Sequence, residues 1–284
     1  TIMTTPPTLT DRTALMRNRQ RALRKGAALF LHERAADEIE ERLSEVNRQF
    51  TKPAVVTGFP DFWAARFPGA RIVPDDEVLD LRAGAHDLVI HALALHWAND
   101  PVGQLVQCRH ALIPDGLFLA ATVGGRALSE LRAVLAEAEA AVTGGLSARV
   151  LPMGEIRDLG ALLQRAGFAL PVADTAPLEV LYATVVDLIA ELRAMGEGNA
   201  LAGRSRDPGS MRRILPEAAR FYAEAFPAEG GRIRATMETI YLTGWAPSAT
   251  QQKPLRPGSA ARRLADALST EETALPDHAP LRRD

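Results

Sequence analysis

Residues 87–121 read DLVIHALALHWANDPVGQLVQCRHALIPDGLFLAA. Asp87–Ile90 and Leu117–Ala121 are almost wholly apolar, and Val102–Leu112 between them predicts a helix. Pro114-Asp115-Gly116 has the composition of a tight turn. Strands that are apolar throughout are buried on both faces of a sheet, and strands that alternate with helices pair in parallel. The stretch therefore predicts an α/β fold with a doubly wound, mostly parallel sheet.

Two shorter strands are predicted upstream of this stretch. Ala54–Val56 is a strand that ends at Gly58, and Ala70–Val73 is a second strand that stops at Pro74. Phe59–Phe67 between them is helix-like. The same alternation of strand and helix thus begins near residue 53, which extends the predicted sheet by two strands.

The residues before the first strand are predicted to be helical. Apolar side chains recur at helical spacing up to Phe50, and Pro53 is expected to close that helix because the residue before a proline avoids the α region. The first part of this segment is rich in basic residues and has almost no acidic ones. Its basic residues are Arg12, Arg17, Arg19, Arg21, Arg24 and Lys25. This bias is typical of a mitochondrial transit peptide and also of a helix with solvated basic side chains, and we prefer the second interpretation.

The carboxyl half is predicted to be mostly helical. Four stretches carry an apolar stripe at helical spacing, and glycines follow the first two as expected caps. The stretches are Leu128–Val142, Ile156–Ala166, Val185–Met195 and Ile214–Phe226. Ile233–Trp245 predicts a final strand.

The domain organisation follows from these patterns. Residues 1–52 are expected to form an amino-terminal helical segment, and residues 53–246 the main α/β domain. A helical insertion at about 183–228 is expected to cap that domain. Residues 247–284 have little apolar periodicity and predict a tail that is partly disordered.

The composition excludes several classes of function. A net charge of −2 argues against a protein that coats nucleic acid, and no run of apolar residues is long enough to span a membrane. Cys108 is the one cysteine, which excludes a disulfide framework, and the six histidines are too scattered to predict a metal site. We expect a cytoplasmic protein of bacterial type, or one of the mitochondrial matrix if the source is eukaryotic.

Eight short motifs lie between Asp87 and Trp245. They are Asp87-Leu88-Val89-Ile90, Leu95-His96-Trp97-Ala98-Asn99-Asp100, Pro114-Asp115-Gly116, Gly124-Gly125, Leu131-Arg132, Leu159-Gly160-x-Leu162-Leu163-x-Arg165-Ala166-Gly167-Phe168, Met195-Gly196-Glu197-x-Asn199 and Tyr241-Leu242-x-Gly244-Trp245. Together they resemble the class I S-adenosylmethionine-dependent methyltransferase superfamily. Within it, the chain is similar to the respiratory complex I assembly factors, whose mitochondrial member is an arginine hydroxylase. It is more distantly similar to the malonyl-carrier methyltransferases of biotin synthesis.

The resemblance breaks at the cofactor loop. Members of the superfamily place a glycine-rich loop after the first strand, and an acidic residue that ends the next strand holds the ribose hydroxyls. Here only Gly58 remains, and the bulk of Phe59 and Pro60 is expected to fill the place of the nucleoside. Asp75 or Asp76 would supply the acid. The front half of the sheet is also expected to be truncated, because one strand–helix–strand unit fits where the superfamily has two.

The carboxyl ends of the predicted strands are expected to form one crevice. The resemblance and this placement assign Gly58, Asp75, Asp76, His91 and Leu95 to cofactor binding, and Trp97, Asn99, Gly124, Gly125, Glu197 and Asn199 to the substrate. His96 is the candidate catalytic residue. No metal ligands are assigned.

Each of these residues also has a structural interpretation. His96 can be a satisfied, partly buried imidazole, and His91 belongs to the core or to the crevice. Asn99 and Asp100 predict the beginning of the helix that Pro101 opens, with an N-cap followed by a proline at the first position. Gly124-Gly125 predicts a close backbone turn. Glu197 follows the end of a predicted helix. The glycines beside it are explained by capping of that helix, but capping does not require a carboxylate at this position.

Two functions from different classes follow from the resemblance. The first is a methyltransferase that holds S-adenosylmethionine at the carboxyl edge of the sheet and acts on a protein or a small molecule. The second is an assembly factor or arginine hydroxylase-like protein that has lost this cofactor and uses the fold as a binding scaffold. Its expected partner is a subunit of a respiratory NADH dehydrogenase. The degenerate loop favours the second, and the superfamily as a whole favours the first.

Overall fold

A computed structural model describes residues 8–207 and 209–251. The chain divides after Ser248 into two compact units, and the first of them, Thr1–Ser248, holds every element named below. Only residues 249–251 of the second are described, so most of the predicted tail lies outside the described residues. The helices are α1 (Arg12–Lys25), α2 (Phe30–Glu45), α3 (Pro60–Arg66), α4 (Pro101–Ala111), α5 (Ser129–Thr143), α6 (Ile156–Arg165), α7 (Val185–Ala194) and α8 (Ser210–Ala225). The strands are β1 (Pro53–Thr57), β2 (Arg71–Pro74), β3 (His86–Ala92), β4 (Leu112–Val123), β5 (Ala169–Tyr182), β6 (Pro227–Ala228) and β7 (Arg232–Trp245).

The described strands form a seven-stranded mixed sheet in the order β2-β1-β3-β4-β7-β5, with β6 paired to β7. β2, β1, β3 and β4 are parallel neighbours. β7 is antiparallel to β4, β5 and β6. The predicted α/β class is confirmed, and the antiparallel end of the sheet is added by the carboxyl half of the chain.

Helices cover both faces of this sheet. α2, α5, α7 and α8 pack on one face, and α4 and α6 on the other. All seven residues of β3 are buried, because helices cover both faces of the strand. Leu88 and Ile90 pack in the first layer of helices, and Val89 packs in the second. A strand between two apolar layers needs no polar face, which is why the sequence alone identifies β3.

The front half of the sheet is short, as predicted. Residues 75–85 join β2 to β3 without a helix or a further strand. β2 is therefore the edge of the sheet, and it ends beside Asp75. The amino-terminal helix α1 lies next to this edge, because Arg12 of α1 contacts Asp75.

The predicted helix up to Phe50 is wrong at its end. α2 stops at Glu45, and Val46 has an extended backbone. The Asp87 carboxylate accepts the N–H groups of Thr51 and Lys52 at 2.6 and 2.9 Å, which holds the segment in a loop that leads into β1. Val46 and Phe50 still pack against the core from this loop, so their spacing imitates a helical stripe.

The expectation of a mostly helical carboxyl half missed the strand β5. Its sequence contains Pro171 and Pro177, which the interior of a sheet does not accept. β5 pairs only with β7 and lies at the edge, where a missing N–H leaves no partner unsatisfied. The predicted turn at residues 114–116 likewise lies inside β4, as a kink where Asp115 has a φ of 63° and the register to β3 shifts.

Among the described residues, none of the helices combines the length and the apolar character that crossing a bilayer requires.

Candidate functional site

The candidate site begins at the turn that follows β3. Leu93 has a φ of 47° and donates its N–H to the Ala121 carbonyl at 2.8 Å, and a 3-10 turn over Leu95–Trp97 comes next. A left-handed backbone costs a non-glycine residue about 1–3 kcal/mol, so packing must hold this turn in place. The turn leaves His96 at the carboxyl end of β3 with 5% of its side chain exposed.

Glu197 meets His96 from the end of α7. Gly196 has a φ of 79°, and the Glu197 N–H returns to the Leu192 carbonyl at 2.9 Å, which is the Schellman ending of a helix. Glu197 Oε2 then lies 3.1 Å from His96 Nε2 and accepts the Trp97 Nε1–H at 2.7 Å. Three predicted site residues from two separate motifs, His96 and Trp97 from one and Glu197 from the other, therefore form one hydrogen-bonded cluster.

The charge of this cluster follows from its contacts. Burial raises the pKa of Glu197, but His96, Arg19 and the Trp97 N–H outweigh burial and hold that pKa below its usual range. The Thr122 hydroxyl lies 3.4 Å from Nδ1, the other ring nitrogen of His96. A carboxylate that fixes one nitrogen of an imidazole orients the ring, which is the arrangement that general acid–base chemistry uses.

An apolar cavity of about 160 Å³ adjoins the cluster. Its apolar wall includes Leu31, Leu131, Leu135, Leu192, Met195 and Met237. His96, Trp97, Glu197 and Asn199 also line it, together with Arg149, which is ion-paired with Glu139 at 2.6 Å. A cavity of this size holds a group about as large as benzene. The cavity can therefore accept one apolar side chain or ring and present it to His96.

A second crevice lies at the carboxyl ends of β1 and β2, and Arg19 of α1 fills it. Arg19 Nη1 donates to Asp75 Oδ1 at 2.7 Å, and both side chains are 3% exposed. Arg12 adds an ion pair to Asp75 at 3.2 Å, whereas the neighbouring Asp76 is exposed and lies 3.7 Å from Arg12. Burial raises the pKa of Asp75, yet the two arginines outweigh burial and lower it to about 2. Asp75 is therefore ionised and paired within the protein.

These residues do not fit an adenosyl nucleoside as they are arranged. A Cβ placed on Gly58 would lie 2.3 Å from Arg19 Cζ, so the guanidinium covers the bare backbone that a cofactor would need. The prediction that Phe59 and Pro60 fill the place of the nucleoside is wrong, because both side chains lie elsewhere. Phe59 is buried beneath the sheet edge against His32, with ring centroids 4.6 Å apart, and Pro60 is exposed at the beginning of α3.

His91 and Leu95, which were assigned to the cofactor, lie in the interior. His91 Nε2 is 2.8 Å from Gln104 Oε1, and burial lowers the pKa of His91 to about 4, so the ring is neutral at physiological pH. Gln104 in turn donates to the Asp76 carbonyl at 2.9 Å, which ties β3 to the residues after β2. Leu95 is 2% exposed in the core beneath α4.

Asn99 and Asn199 hold α1 in place. Asn99 Oδ1 accepts the N–H groups of Leu9 and Thr10 at 2.9 and 2.8 Å. Asn199 Oδ1 accepts the Leu201 N–H at 3.0 Å, and this loop pairs with Thr10 through an isolated β-bridge. Two residues that were predicted to bind substrate thus position the helix that carries Arg19. The N-cap of α4 is Asp100, as the alternative interpretation expected.

Gly124 and Gly125 form the backbone turn that the sequence predicts after β4. The Gly125 N–H donates to the Gly154 carbonyl at 2.9 Å with a φ of 55°. A Cβ on Gly125 would lie 2.6 Å from the Glu238 carboxyl group, whose oxygen accepts the Arg126 N–H at 2.8 Å. The pair is close to β7 and contributes no side chain to the cavity.

Sequence reasoning missed Arg19 because it grouped the basic residues of α1 as solvated. Arg17, Arg21 and Arg24 are exposed, but Arg19 is buried. The sequence does carry a signal that Arg19 is buried. Arg19 shares one face of α1 with Leu15 and Ala22, and both of these neighbours are apolar. Within residues 8–207 and 209–251, no group of three metal-ligating side chains has the geometry to hold an ion.

Comparison with known proteins identifies relatives of this chain. The arginine-hydroxylase NDUFAF5 of Danio rerio, a mitochondrial protein, is 34% identical over 230 residues, which are 80% of this chain and 71% of that protein. The chain belongs to the NDUFAF5 family. The human NDUFAF5 protein is 37% identical over 193 residues, 68% of this chain and 55% of that protein.

A methyltransferase is also among the relatives of this chain. The malonyl-[acyl-carrier protein] O-methyltransferase of Laribacter hongkongensis is 36% identical over 196 residues, which are 68% of this chain and 62% of that protein. The predicted resemblance to the class I methyltransferase superfamily is therefore confirmed. The chain spans roughly half to two-thirds of most of these relatives' own length.

Solved structures overlap with the chain only loosely. The YcgJ protein of Bacillus subtilis has a TM-score of 0.47 and 11% identity, over 76% of this chain and 99% of that chain. A SAM-dependent methyltransferase of Thermotoga maritima has a TM-score of 0.44 and 12% identity, over 82% of this chain and 99% of that chain. The assignment rests on the sequence relatives and not on these overlaps. No family model matches the chain.

Proposed function

We propose that this member of the NDUFAF5 family works without S-adenosylmethionine, as an arginine hydroxylase-like assembly protein that binds a subunit of a respiratory NADH dehydrogenase. One observation carries the proposal. Arg19 lies across Gly58 and pairs with Asp75, so a side chain of the protein itself occupies the bare backbone and the carboxylate that would receive the adenosyl nucleoside in a methyltransferase. Relatives named arginine-hydroxylase and mitochondrial support a role beside the respiratory chain.

The apolar cavity supplies the second element of this function. The lining of this cavity differs from that of the crevice that Arg19 fills. The cavity has a mainly aliphatic wall, and the His96–Glu197–Trp97 cluster supplies polar groups to it. A protein partner that inserts one side chain would bury it against this wall and present its polar end to His96. Burial of one large apolar side chain contributes about 1.5–3 kcal/mol.

Methyl transfer is the second candidate function. The observation that favours it is the position of Asp75 at the end of β2, together with the similarity to a malonyl-[acyl-carrier protein] O-methyltransferase. This function requires α1 to leave the crevice. The two candidates therefore differ in whether the folded protein binds the cofactor.

Titration calorimetry of the full chain with S-adenosylmethionine is expected to show no binding at millimolar ligand, because Arg19 and Asp75 are already paired. The malonyl-[acyl-carrier protein] O-methyltransferase of Laribacter hongkongensis, measured in parallel, supplies the positive control. Binding of this chain at micromolar concentration would contradict the proposed function and favour methyl transfer.

Coexpression of the tagged chain with the separate subunits of a respiratory NADH dehydrogenase is expected to capture one subunit. Ile189→Trp should fill the cavity and weaken capture about tenfold, which corresponds to roughly 1.4 kcal/mol. Val186→Trp is the matched control, since Val186 lies one turn away on α7 and is 51% exposed. Capture of no subunit, or equal loss in both variants, would remove the support for a partner at this cavity.

A further inference from the structure

The apolar cavity beside His96 contains a hydrogen-bond acceptor that the protein leaves open. Glu197 Oε2 accepts the Trp97 Nε1–H at 2.7 Å and lies 3.1 Å from His96 Nε2. Among the described residues, none donates a hydrogen bond to the other oxygen of this carboxylate, Oε1, and this atom is not sealed from solvent. Glu197 lines the cavity, so a ligand there can offer a donor to Oε1.

The charges around the cavity favour a neutral donor over a cation. Among the described residues that line it, Glu197 carries the one carboxylate, whereas Arg149 and Arg193 both contribute a guanidinium. His96 and Arg19 lower the pKa of Glu197, so its negative charge is already stabilised from within the protein. A cation would lose its hydration to enter an apolar cavity, which is costly. A hydroxyl group loses far less hydration and still donates a hydrogen bond.

The wall of the cavity suits an aromatic ring. Four of the six methionines line it, namely Met153, Met195, Met211 and Met237. Methionine is unbranched and adapts to the shape of its neighbour, and its sulfur makes favourable contacts with the edges of aromatic rings. A volume of about 160 Å³ accepts one six-membered ring with a small substituent.

The cavity is accessible beside the end of α7. Arg193 and Asn199 line it and are exposed, whereas His96 at its polar end has 5% of its side chain exposed. The lining therefore runs from exposed residues to buried ones. A ring that projects from the surface of a partner, or a free ring, can enter from the exposed side.

We propose that this cavity is a phenol-binding site, in which the ring packs against the methionine-rich wall and the hydroxyl donates to Glu197 Oε1. A purely aliphatic group would fill the same space and leave Oε1 without a donor. The phenol belongs either to a tyrosine side chain of a protein partner or to a free phenolic compound. The inference rests on the proposed function only where the tyrosine is that of a partner subunit.

Fluorine NMR titration of the full chain with three matched probes tests the site. The probes are para-fluorophenol, fluorobenzene, which lacks the hydroxyl, and para-fluorobenzylamine, which carries a cation. Para-fluorophenol is expected to bind at least tenfold more tightly than fluorobenzene, because a hydrogen bond to a charged acceptor contributes about 1.5–3 kcal/mol. Para-fluorobenzylamine is expected to bind more weakly than either.

Two variants separate the acceptor from the space. Glu197→Gln removes the charge of the acceptor and should weaken para-fluorophenol about tenfold, while the affinity for fluorobenzene stays unchanged and shows that the cavity is intact. Ile189→Trp fills the cavity and should abolish binding of both probes. Val186→Trp, at an exposed position of the same helix, should change neither affinity.

Competition identifies the source of the phenol. If the ring is a tyrosine of the partner, saturating para-cresol should reduce capture of the NADH dehydrogenase subunit at least tenfold, and toluene at the same concentration should not. If the ring belongs to a free compound, para-fluorophenol binds with the same affinity and capture is unaffected by para-cresol. The NMR titration needs no partner, so it remains decisive if no subunit is captured and the proposed function fails.

Three outcomes would overturn the inference. Equal affinities for para-fluorophenol and fluorobenzene would show that Oε1 takes no part, and absence of binding by both would show no site. Tighter binding of para-fluorobenzylamine than of para-fluorophenol would show a site for a cation. An equal loss of both para-fluorophenol and fluorobenzene in Glu197→Gln would mean that Glu197 only supports the shape of the cavity.

Discussion

Asp75→Ala should lower the free energy of unfolding by about 3–5 kcal/mol, the largest effect expected of any single substitution in the site. The variant leaves the buried Arg19 without the one hydrogen-bond acceptor that the described residues give it, and an uncompensated buried charge is far more costly than the loss of an exposed ion pair. Arg12 also loses its carboxylate partner at 3.2 Å. Urea unfolding followed by circular dichroism measures the change.

Three comparisons separate this effect from a general weakness of the loop. Asp76→Ala removes the exposed neighbouring carboxylate and should change the free energy of unfolding by less than about 0.5 kcal/mol. Arg19→Met combined with Asp75→Leu removes both charges and should recover most of the stability. The fall in stability between pH 4 and pH 2 should be shallower in Asp75→Asn, since the pKa of Asp75 lies below its ordinary 3.8, at about 2, in the folded protein. A loss in Asp75→Ala no larger than in Asp76→Ala would mean that Arg19 is solvated.

The sign of this pH dependence follows from the direction of the shift. A carboxyl group whose pKa is lowered on folding stabilises the protein at every pH above its unfolded value, and that stabilisation disappears as the folded carboxylate is protonated. For Asp75 the loss therefore falls between about pH 4 and pH 2.

Glu197→Ala should lower the free energy of unfolding by about 2–3 kcal/mol, the second largest effect. The substitution leaves the buried Trp97 N–H without an acceptor and frees His96, and hydrogen bonds to a charged group contribute about 1.5–3 kcal/mol each. Urea unfolding gives the free energy, and capture of the partner subunit gives the functional consequence.

Glu197→Gln and Trp97→Phe are the matched variants for this prediction. The amide of Glu197→Gln keeps an acceptor for Trp97, so its loss should be less than half of that in Glu197→Ala. Trp97→Phe removes one donor and leaves His96 paired, which should give an intermediate loss. If all three variants cost the same, the carboxylate is not the centre of the cluster and His96 is oriented by Thr122 alone.

The predictable part of the candidate site lies in two motifs, one after the strand β3 and one at the end of the helix α7. His96, Trp97 and Glu197 were assigned from their motifs, and the structure joins them through one carboxylate oxygen. The assignments of Asn99 and Asn199 show the opposite case. An exposed amide near a crevice has the same appearance in a sequence whether it binds a ligand or a neighbouring backbone, and here both bind backbone.

The buried strand β3, the helix α4 that follows it and the shortened front half of the sheet were determined by the sequence alone. Burial on both faces makes the middle of such a strand apolar, here Leu88, Val89 and Ile90, and that pattern is local in the sequence. The edge strand β5, the loop after α2 and the Arg19–Asp75 ion pair were decided only by the tertiary structure. Arg19 and Asp75 are 56 residues apart, and a charge becomes a buried partner instead of a solvated one only when packing brings its counterpart within hydrogen-bond distance.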